Sequence, residues 1–242
     1  MKSRPFDQFR TSYVDVHNRN LPLGLKSDEF VEQKVRFVVS GLNRWGFQSS
    51  SVRVLDFGCG HGRVFERLWK TGSFATYTGV DESTETLEEA ALMLQHGHFQ
   101  RQEHVRFVPQ LEAIPFSDRQ FELILLFNVL HHVDPTERVS LIRSLSKFLA
   151  PNGRVVVFEH NPLNPASQWI VRTCPFDKDV SLLFSSETRS LFESNGFLST
   201  EHDFINLIPP RLARIPIFGR VERTLCRLPL GAQYRAVFSK TV

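Results

Sequence analysis

The stretch VLDFGCGHGR, residues 54–63, has an apolar, β-branched first half and then Gly58, Gly60 and Gly62 in close succession. The first half reads as a buried strand, the second as a turn where the backbone approaches something closely. A dinucleotide fingerprint, G-x-G-x-x-G, needs a further glycine where Arg63 stands, and a phosphate-binding Walker loop needs a Lys that is absent. A merely tight turn is the third explanation. Asp56, just before the glycines, would repel a pyrophosphate and attract a cation. The next apolar run, TYTGV, is followed by Asp81, an acid placed to accept hydrogen bonds from both hydroxyls of a ribose. Together the two acids ask for a ligand with a ribose and a positive charge but no phosphate.

Outward from this stretch, residues 52–57, 76–80, 105–108, 121–127 and 154–159 read as strands. Helical stripes lie between or before them: Val31, Val35, Val38, Leu42 and Trp45; Leu87, Ala90, Ala91 and Leu94; Leu141, Ile142, Leu145, Phe148 and Leu149. The last of these is expected to start at Asp134 as cap, with Pro135 in the first turn and Glu137 closing a capping box. Further helices are expected around 168–172 and 186–195, the second stopped by Gly196, and two last strands at 197–205 and 233–240. The alternation predicts an α/β, doubly wound, mostly parallel seven-stranded sheet with helices on both faces and a helical N-terminal cap.

A chain of 242 residues, 41% hydrophobic and 12% aromatic, can bury one substantial core. A net charge of +3 is too small to announce a nucleic-acid partner. Arg211, Arg214, Arg220, Arg223 and Arg227 do face only Glu222 between Pro209 and Leu230. That run is either a solvated helix face or a contact for an anionic acceptor or a peripheral membrane surface. Cys59, Cys174 and Cys226 are odd in number and far apart, which suggests neither a disulfide framework nor a zinc site and fits a cytoplasmic location. The start of the chain lacks the apolar core of a signal peptide. The longest apolar run, residues 121–130, is well short of the roughly 20 residues of a membrane span.

Four segments in order, VLDFGCGHGR, YTGVDES, IPFSDRQFELILLFNVLHHV and LAPNGRVVVFE, resemble the class I S-adenosylmethionine-dependent methyltransferases, of the small-molecule, type 11-like kind. The resemblance covers residues 52–160 and implies a Rossmann-like fold with S-adenosylmethionine as cofactor. It divides a single domain, 1–242, into a cap (1–50), a cofactor-binding core (51–160) and a substrate side (161–242). It implies that Gly58, Cys59 and Gly60 approach the methionine part, with Gly62 also in the cofactor-binding set, Asp56 near the amino group, Asp81 on the ribose and Glu82 beside the adenine. Gln110 and Leu111 stand where the family often has Asp and a small residue reading the adenine edge. Phe127 and Asn128 would lie beside the transferring methyl. Tyr13 resembles an N-terminal aromatic that closes such sites, with ordinary cap packing as the alternative.

The sulfonium carries an activated methyl, so the protein chiefly aligns a nucleophile, excludes water and removes a proton where needed. Candidate bases are His131, His132 and His160, after the fourth and fifth strands. His131 matches the catalytic histidine of plant-type O-methyltransferases. A divalent metal held by His131, His132 and Asp134 is the weaker alternative, and the expectation is a metal-free site. The acceptor implied is a small molecule, glycan or lipid-linked compound, with oxygen as the methylated atom. The rivals are a cofactor-binding regulatory or partner subunit without turnover and, disfavoured by Arg63 and Asp56, a nicotinamide dehydrogenase.

Overall fold

The central strands are apolar on both sides, and the chain buries both. The computed structural model describes residue 21 and residues 25–72, 74–177 and 179–241; Tyr13 lies outside them. Strands β1 (Arg53–Phe57), β2 (Thr76–Val80), β3 (Val105–Val108), β4 (Phe121–Phe127), β5 (Leu149–His160), β6 (Phe197–Ile205) and β7 (Gln233–Lys240) form one sheet. Their order is β3-β2-β1-β4-β5-β7-β6. The first five run parallel, and β7 runs antiparallel to both β5 and β6. This is the predicted doubly wound architecture, with one antiparallel strand setting its far edge.

Leu55, Ile124, Leu126, Val155 and Val157 face one side, where they meet α4 (Arg138–Phe148) and α6 (Ser185–Glu193) through Ile142, Leu145 and Phe192. Val54, Leu123, Leu125, Val156 and Phe158 face the other, covered by α1 (Ser27–Arg44) and α2 (Arg63–Thr71) through Val35, Val38, Leu42, Phe65 and Leu68. Two-sided burial is why β4 and β5 read as unbroken apolar runs rather than alternating ones. Helix α3 (Thr84–His96) begins at Ser83, whose hydroxyl accepts the Thr86 amide at 3.3 Å. Helix α5 (Pro165–Thr173) follows β5, capped by Asn164. Two short helices, α7 (Pro210–Ala213) and α8 (Pro216–Leu225), fill the β6–β7 connection. Among the described residues no helix is long and apolar enough to cross a membrane.

One helix start differs from expectation. Asp134 Oδ1 accepts from the Thr136 amide (2.8 Å) and hydroxyl (2.6 Å), and α4 begins only at Arg138. The aspartate therefore closes a local turn two residues on, the usual competitor of helix capping for a short acidic side chain.

The chain leaves β1 toward one edge, returns, and enters β4 on the other side, so the order reverses between β1 and β4. A crevice opens at their carboxyl ends, where ligands of such sheets bind. Gly58 closes its floor with φ +76°, and a Cβ there would lie 2.5 Å from Val129 Cγ2. Gly58→Ala should therefore cost about 2–4 kcal/mol, from left-handed strain plus overpacking against a stiff β-branched side chain. A thermal melt should show a fall on the order of 5–10 °C. Gly60→Ala, with nothing within 4 Å of its Cβ, should lose only about 1 kcal/mol.

Candidate active site

The turn from β1 into α2 spends its amides on its own chain. The N–H groups of Gly58 and Cys59 both donate to Val80 O (2.7 and 3.0 Å), and that of Gly62 donates to Cys59 O (3.1 Å). The Gly60 amide donates to Asp81 Oδ2 at 2.8 Å. These bonds pin the turn to the end of β2. The three glycines have separate tasks. Gly62 lies against α3, since a Cβ there would meet Met93 Cε at 2.7 Å and Ala90 Cβ at 3.2 Å. Gly58 lies against Val129, and Gly60 alone opens into free space. Cys59 is buried, its sulfur packed over Gly79.

Asp81 Oδ1 accepts from the Ser83 amide (3.0 Å) and the Thr86 hydroxyl (3.3 Å). With Gly60 on Oδ2, three of about four acceptor positions are filled and one stays open on Oδ2. Asp56, expected near the amino group of the cofactor, is 1% exposed and accepts the Tyr77 hydroxyl beneath the turn. Burial pushes its carboxyl up to about 7, against the opposing pull of the Tyr77 bond and Lys34. Enclosure turns this acid into a support and a source of field rather than a presented ligand group. Glu82 and Gln110 are exposed beside the crevice, whereas the side chain of Leu111 is buried in the core.

At the end of β4, Asn128 adopts φ +59° and its amide donates to Phe158 O at 2.8 Å. Its side-chain oxygen accepts from Lys34 Nζ (3.0 Å) and Gln233 Nε2 (3.3 Å). Lys34 is buried, and its ammonium lies 5.6 Å from the ring centres of both Phe127 and Phe158. Burial draws its pKa down to about 8, with Glu159 resisting. The sequence reading missed this residue, which sits within the apolar stripe of α1.

Beyond Asn128 the chain makes a tight turn around a second missed residue, Glu159. One carboxylate oxygen accepts the amides of Val129 (2.9 Å) and Leu130 (2.7 Å), and the other meets His131 Nδ1 at 2.5 Å. His131 and Glu159 are both 1% exposed. On the far side, Asp177 Oδ1 lies 3.8 Å from His131 Nε2 and 3.4 Å from His132 Nε2. Asp177 ends a short turn, Pro175–Asp177, after α5. Burial works against charge on His131, but Glu159 and Asp177 overcome it and raise its pKa to about 9. Burial and the His131 charge hold His132 down at about 4 and His160 at about 3. Asp177, despite burial, is pulled to about 2 by His131. His160 sits 3.4 Å from the Ser167 hydroxyl and edge-on to His131, ring centres 5.3 Å apart.

Of the three groups expected as an alternative metal set, Asp134 is turned away into its own turn. Asp177 replaces it: ligand atoms of His131, His132 and Asp177 lie within 4.8 Å of one another, and His131 Nε2 is buried without a hydrogen bond. A divalent cation and the His131 proton would compete for that nitrogen. A cavity of about 470 Å³ lies alongside, lined by Pro162, Gln168, Val171, Arg172, Asp177 and Leu182.

Comparison with known proteins agrees with this geometry. Residues 54–153 match the family described as "Methyltransferase domain". The chain is 31% identical over 121 residues to the mitochondrial ubiquinone biosynthesis O-methyltransferase of Candida albicans, covering 50% of this chain and 35% of that protein. It is 33% identical over 117 residues to the ubiquinone biosynthesis O-methyltransferase of Psychrobacter cryohalolentis, covering 48% and 43%. The match thus spans less than half the length of either relative. In structure it is similar to a SAM-dependent methyltransferase from Archaeoglobus fulgidus (TM-score 0.62, 19% identity, 89% of this chain and 95% of that one). It is also similar to the magnesium protoporphyrin IX methyltransferase of Synechocystis with bound SAM (TM-score 0.60, 18% identity, 97% and 94%). Residues 54–153 are a methyltransferase domain, and the chain around them has the fold of S-adenosylmethionine-dependent methyltransferases of known structure.

Proposed function

We propose that this chain methylates an oxygen of a small-molecule acceptor, with His132 as the base. The observation that carries the reading is the cluster in which Glu159 and Asp177 meet His131 and His132, the two histidines of the turn that packs against the glycine loop. The residues present fit the cofactor: Gly60 leaves open space, and Asp81 keeps an acceptor position. S-adenosylmethionine supplies an activated methyl on a cationic sulfur, which the acidic surroundings of Asp81 and Asp56 favour. The names of the curated relatives, O-methyltransferases, support oxygen as the target.

His131 is charged at neutral pH and tied at Nδ1, so it positions rather than accepts. The two carboxylates and this one imidazolium leave the cluster with one negative charge. His132 is neutral, partly exposed and 3.4 Å from Asp177. As the methyl reaches the acceptor oxygen, the hydroxyl becomes strongly acidic and its proton would pass to His132, where Asp177 would stabilise the imidazolium formed.

Calorimetric titration with S-adenosylhomocysteine should show binding, and NAD should not. Asp81→Ala should weaken the former on the order of 10- to 100-fold, the scale of lost hydrogen bonds to a charged group. Failure to bind S-adenosylhomocysteine, or undiminished binding by Asp81→Ala, would overturn the cofactor assignment.

His132→Ala should lower kcat about 10²–10⁴-fold on a hydroxylated acceptor, with S-adenosylhomocysteine affinity unchanged. In the wild type, kcat/KM should fall along an acid limb centred at about pH 4, where His132 takes up a proton. An unaltered kcat in the variant would remove His132 from the chemistry.

His131 also sets a stability trend. Its folded pKa is raised from 6.5 to about 9, so its contribution is complete below pH 6.5 and lost as pH rises through 9. The urea midpoint of the wild type should therefore fall over that window relative to His131→Gln, whose profile lacks this contribution. Parallel profiles would show that the imidazolium is not held as described.

A further inference from the structure

The β6–β7 connection, residues 206–232, is not used by the reaction above. It is seated at the same edge of the sheet: Gln233 at the start of β7 pairs with His160 at the end of β5. The Asn161 side-chain amide donates to Pro229 O (3.0 Å) and Gly231 O (2.8 Å), fixing the end of the connection beside the crevice.

Helix α8 within it has three distinct sides. The inner side is Gly219, whose Cβ would lie 2.6 Å from Ala213 O, and Glu222, whose two oxygens accept the amides of Asn206 (2.6 Å) and Ile208 (3.0 Å). A second side carries Ile217, Phe218 and Val221, exposed by 68%, 40% and 40%. Leu212 on α7 and Ile215 just before α8 extend this apolar surface, exposed by 41% and 45%. The third side carries Arg220 and Arg223, both exposed, with Arg214 exposed before the helix. Arg211 reaches Glu29 (3.2 Å) and Arg227 reaches Asp203 (3.8 Å), tying the insert to the body at both ends. The single acid of the run, Glu222, is turned inward, so the outward charge is positive.

We propose that this insert docks the protein on an anionic lipid bilayer, with the apolar side of α7 and α8 entering the headgroup boundary and Arg214, Arg220 and Arg223 meeting lipid phosphates. Exposed aliphatic and aromatic side chains beside arginines are the composition of an interfacial helix, and the guanidinium fork suits phosphate oxygens. A second copy of the chain is the poorer occupant, because a two-fold contact sets the same patch against itself and opposes arginine to arginine. Docking here turns the carboxyl edge of the sheet, with its crevice, toward the membrane. The inference stands apart from the choice of base and acceptor atom, since its readout is binding to vesicles.

Sedimentation of the full chain with vesicles of equal parts phosphatidylglycerol and phosphatidylcholine tests it. At low salt the protein should pellet with these vesicles and remain in solution with pure phosphatidylcholine. Partitioning should weaken as salt rises. Each arginine near the surface is worth about fivefold in partitioning, so the pair Arg220→Glu and Arg223→Glu should lower it on the order of 25-fold or more. Ile217→Ser with Phe218→Ser should lower it independently of salt. Both variants should keep wild-type S-adenosylhomocysteine affinity, which separates loss of docking from loss of fold. Equal binding to neutral vesicles, undiminished binding by the charge-reversed pair, or no binding at all would overturn the proposal. So would a dimer in sedimentation equilibrium that Ile217→Ser and Phe218→Ser dissolve, since the surface would then belong to a second copy.

Discussion

Glu159 is a carboxylate 1% exposed to solvent, and the arrangement of the crevice follows from satisfying it. An isolated charge at such a depth is too costly to persist. Two amides of the turn after β4 and the His131 ring meet it, and each of those bonds has a structural effect. The amide bonds bend the chain sharply after Asn128, which brings Val129 against Gly58 and seats the histidines beside the glycine loop. The ring bond fixes His131 as an imidazolium. Burial and then its charge keep His132 and His160 neutral, and the same charge pulls Asp177 firmly into its ionised form. Removing the carboxylate would release the turn and the protonation pattern together.

The opposite wall is organised by a different economy of polar groups. The amides of Gly58, Cys59 and Gly60 are consumed by Val80 O and Asp81 in this chain. The loop is therefore rigid and closed on its inner side and open only over Gly60. Beneath it, Asp56 and Lys34 sit on the same face of the sheet, each moved toward neutrality by burial, one raised to about 7 and the other lowered to about 8. Lys34 compensates with the Asn128 oxygen and the faces of Phe127 and Phe158, a setting in which a partly desolvated cation is well accommodated.

How far the sequence could be read depended on whether a signal was local. The strands announced themselves because two-sided burial makes continuous apolar runs, and Asp81 because it ends such a run at the ligand edge. Glu159 gave the same signal at the end of VVVFE, and the logic applied to Asp56 and Asp81 would have found it. Lys34 gave none: a charged residue in an amphipathic helix is ordinarily assigned to the wet face, and its partner lies 94 residues away. Asp177 stands in a loop without period, so only the folded chain brings it to His132. Asp134 misled in the other direction, because an acid before Pro135 fits a helix cap and an Asx turn equally well, and the hydroxyl of Thr136 decided between them.

The two sides of the crevice are complementary in charge once the proposed reaction is considered as a whole. Acids on the β1–β2 side favour a cationic cofactor, and methyl transfer removes that positive charge from their vicinity. A proton collected by His132 restores one positive charge a short distance away, on the turn that touches the same loop through Val129 and Gly58. The net charge of the enclosed region is thus nearly conserved across the step, which limits the reorganisation that burial would otherwise make expensive. His131 is essential to that balance without moving a proton itself. Together with burial it holds His132 neutral beforehand, so that this partly exposed imidazole becomes charged only when the acceptor gives up its hydrogen.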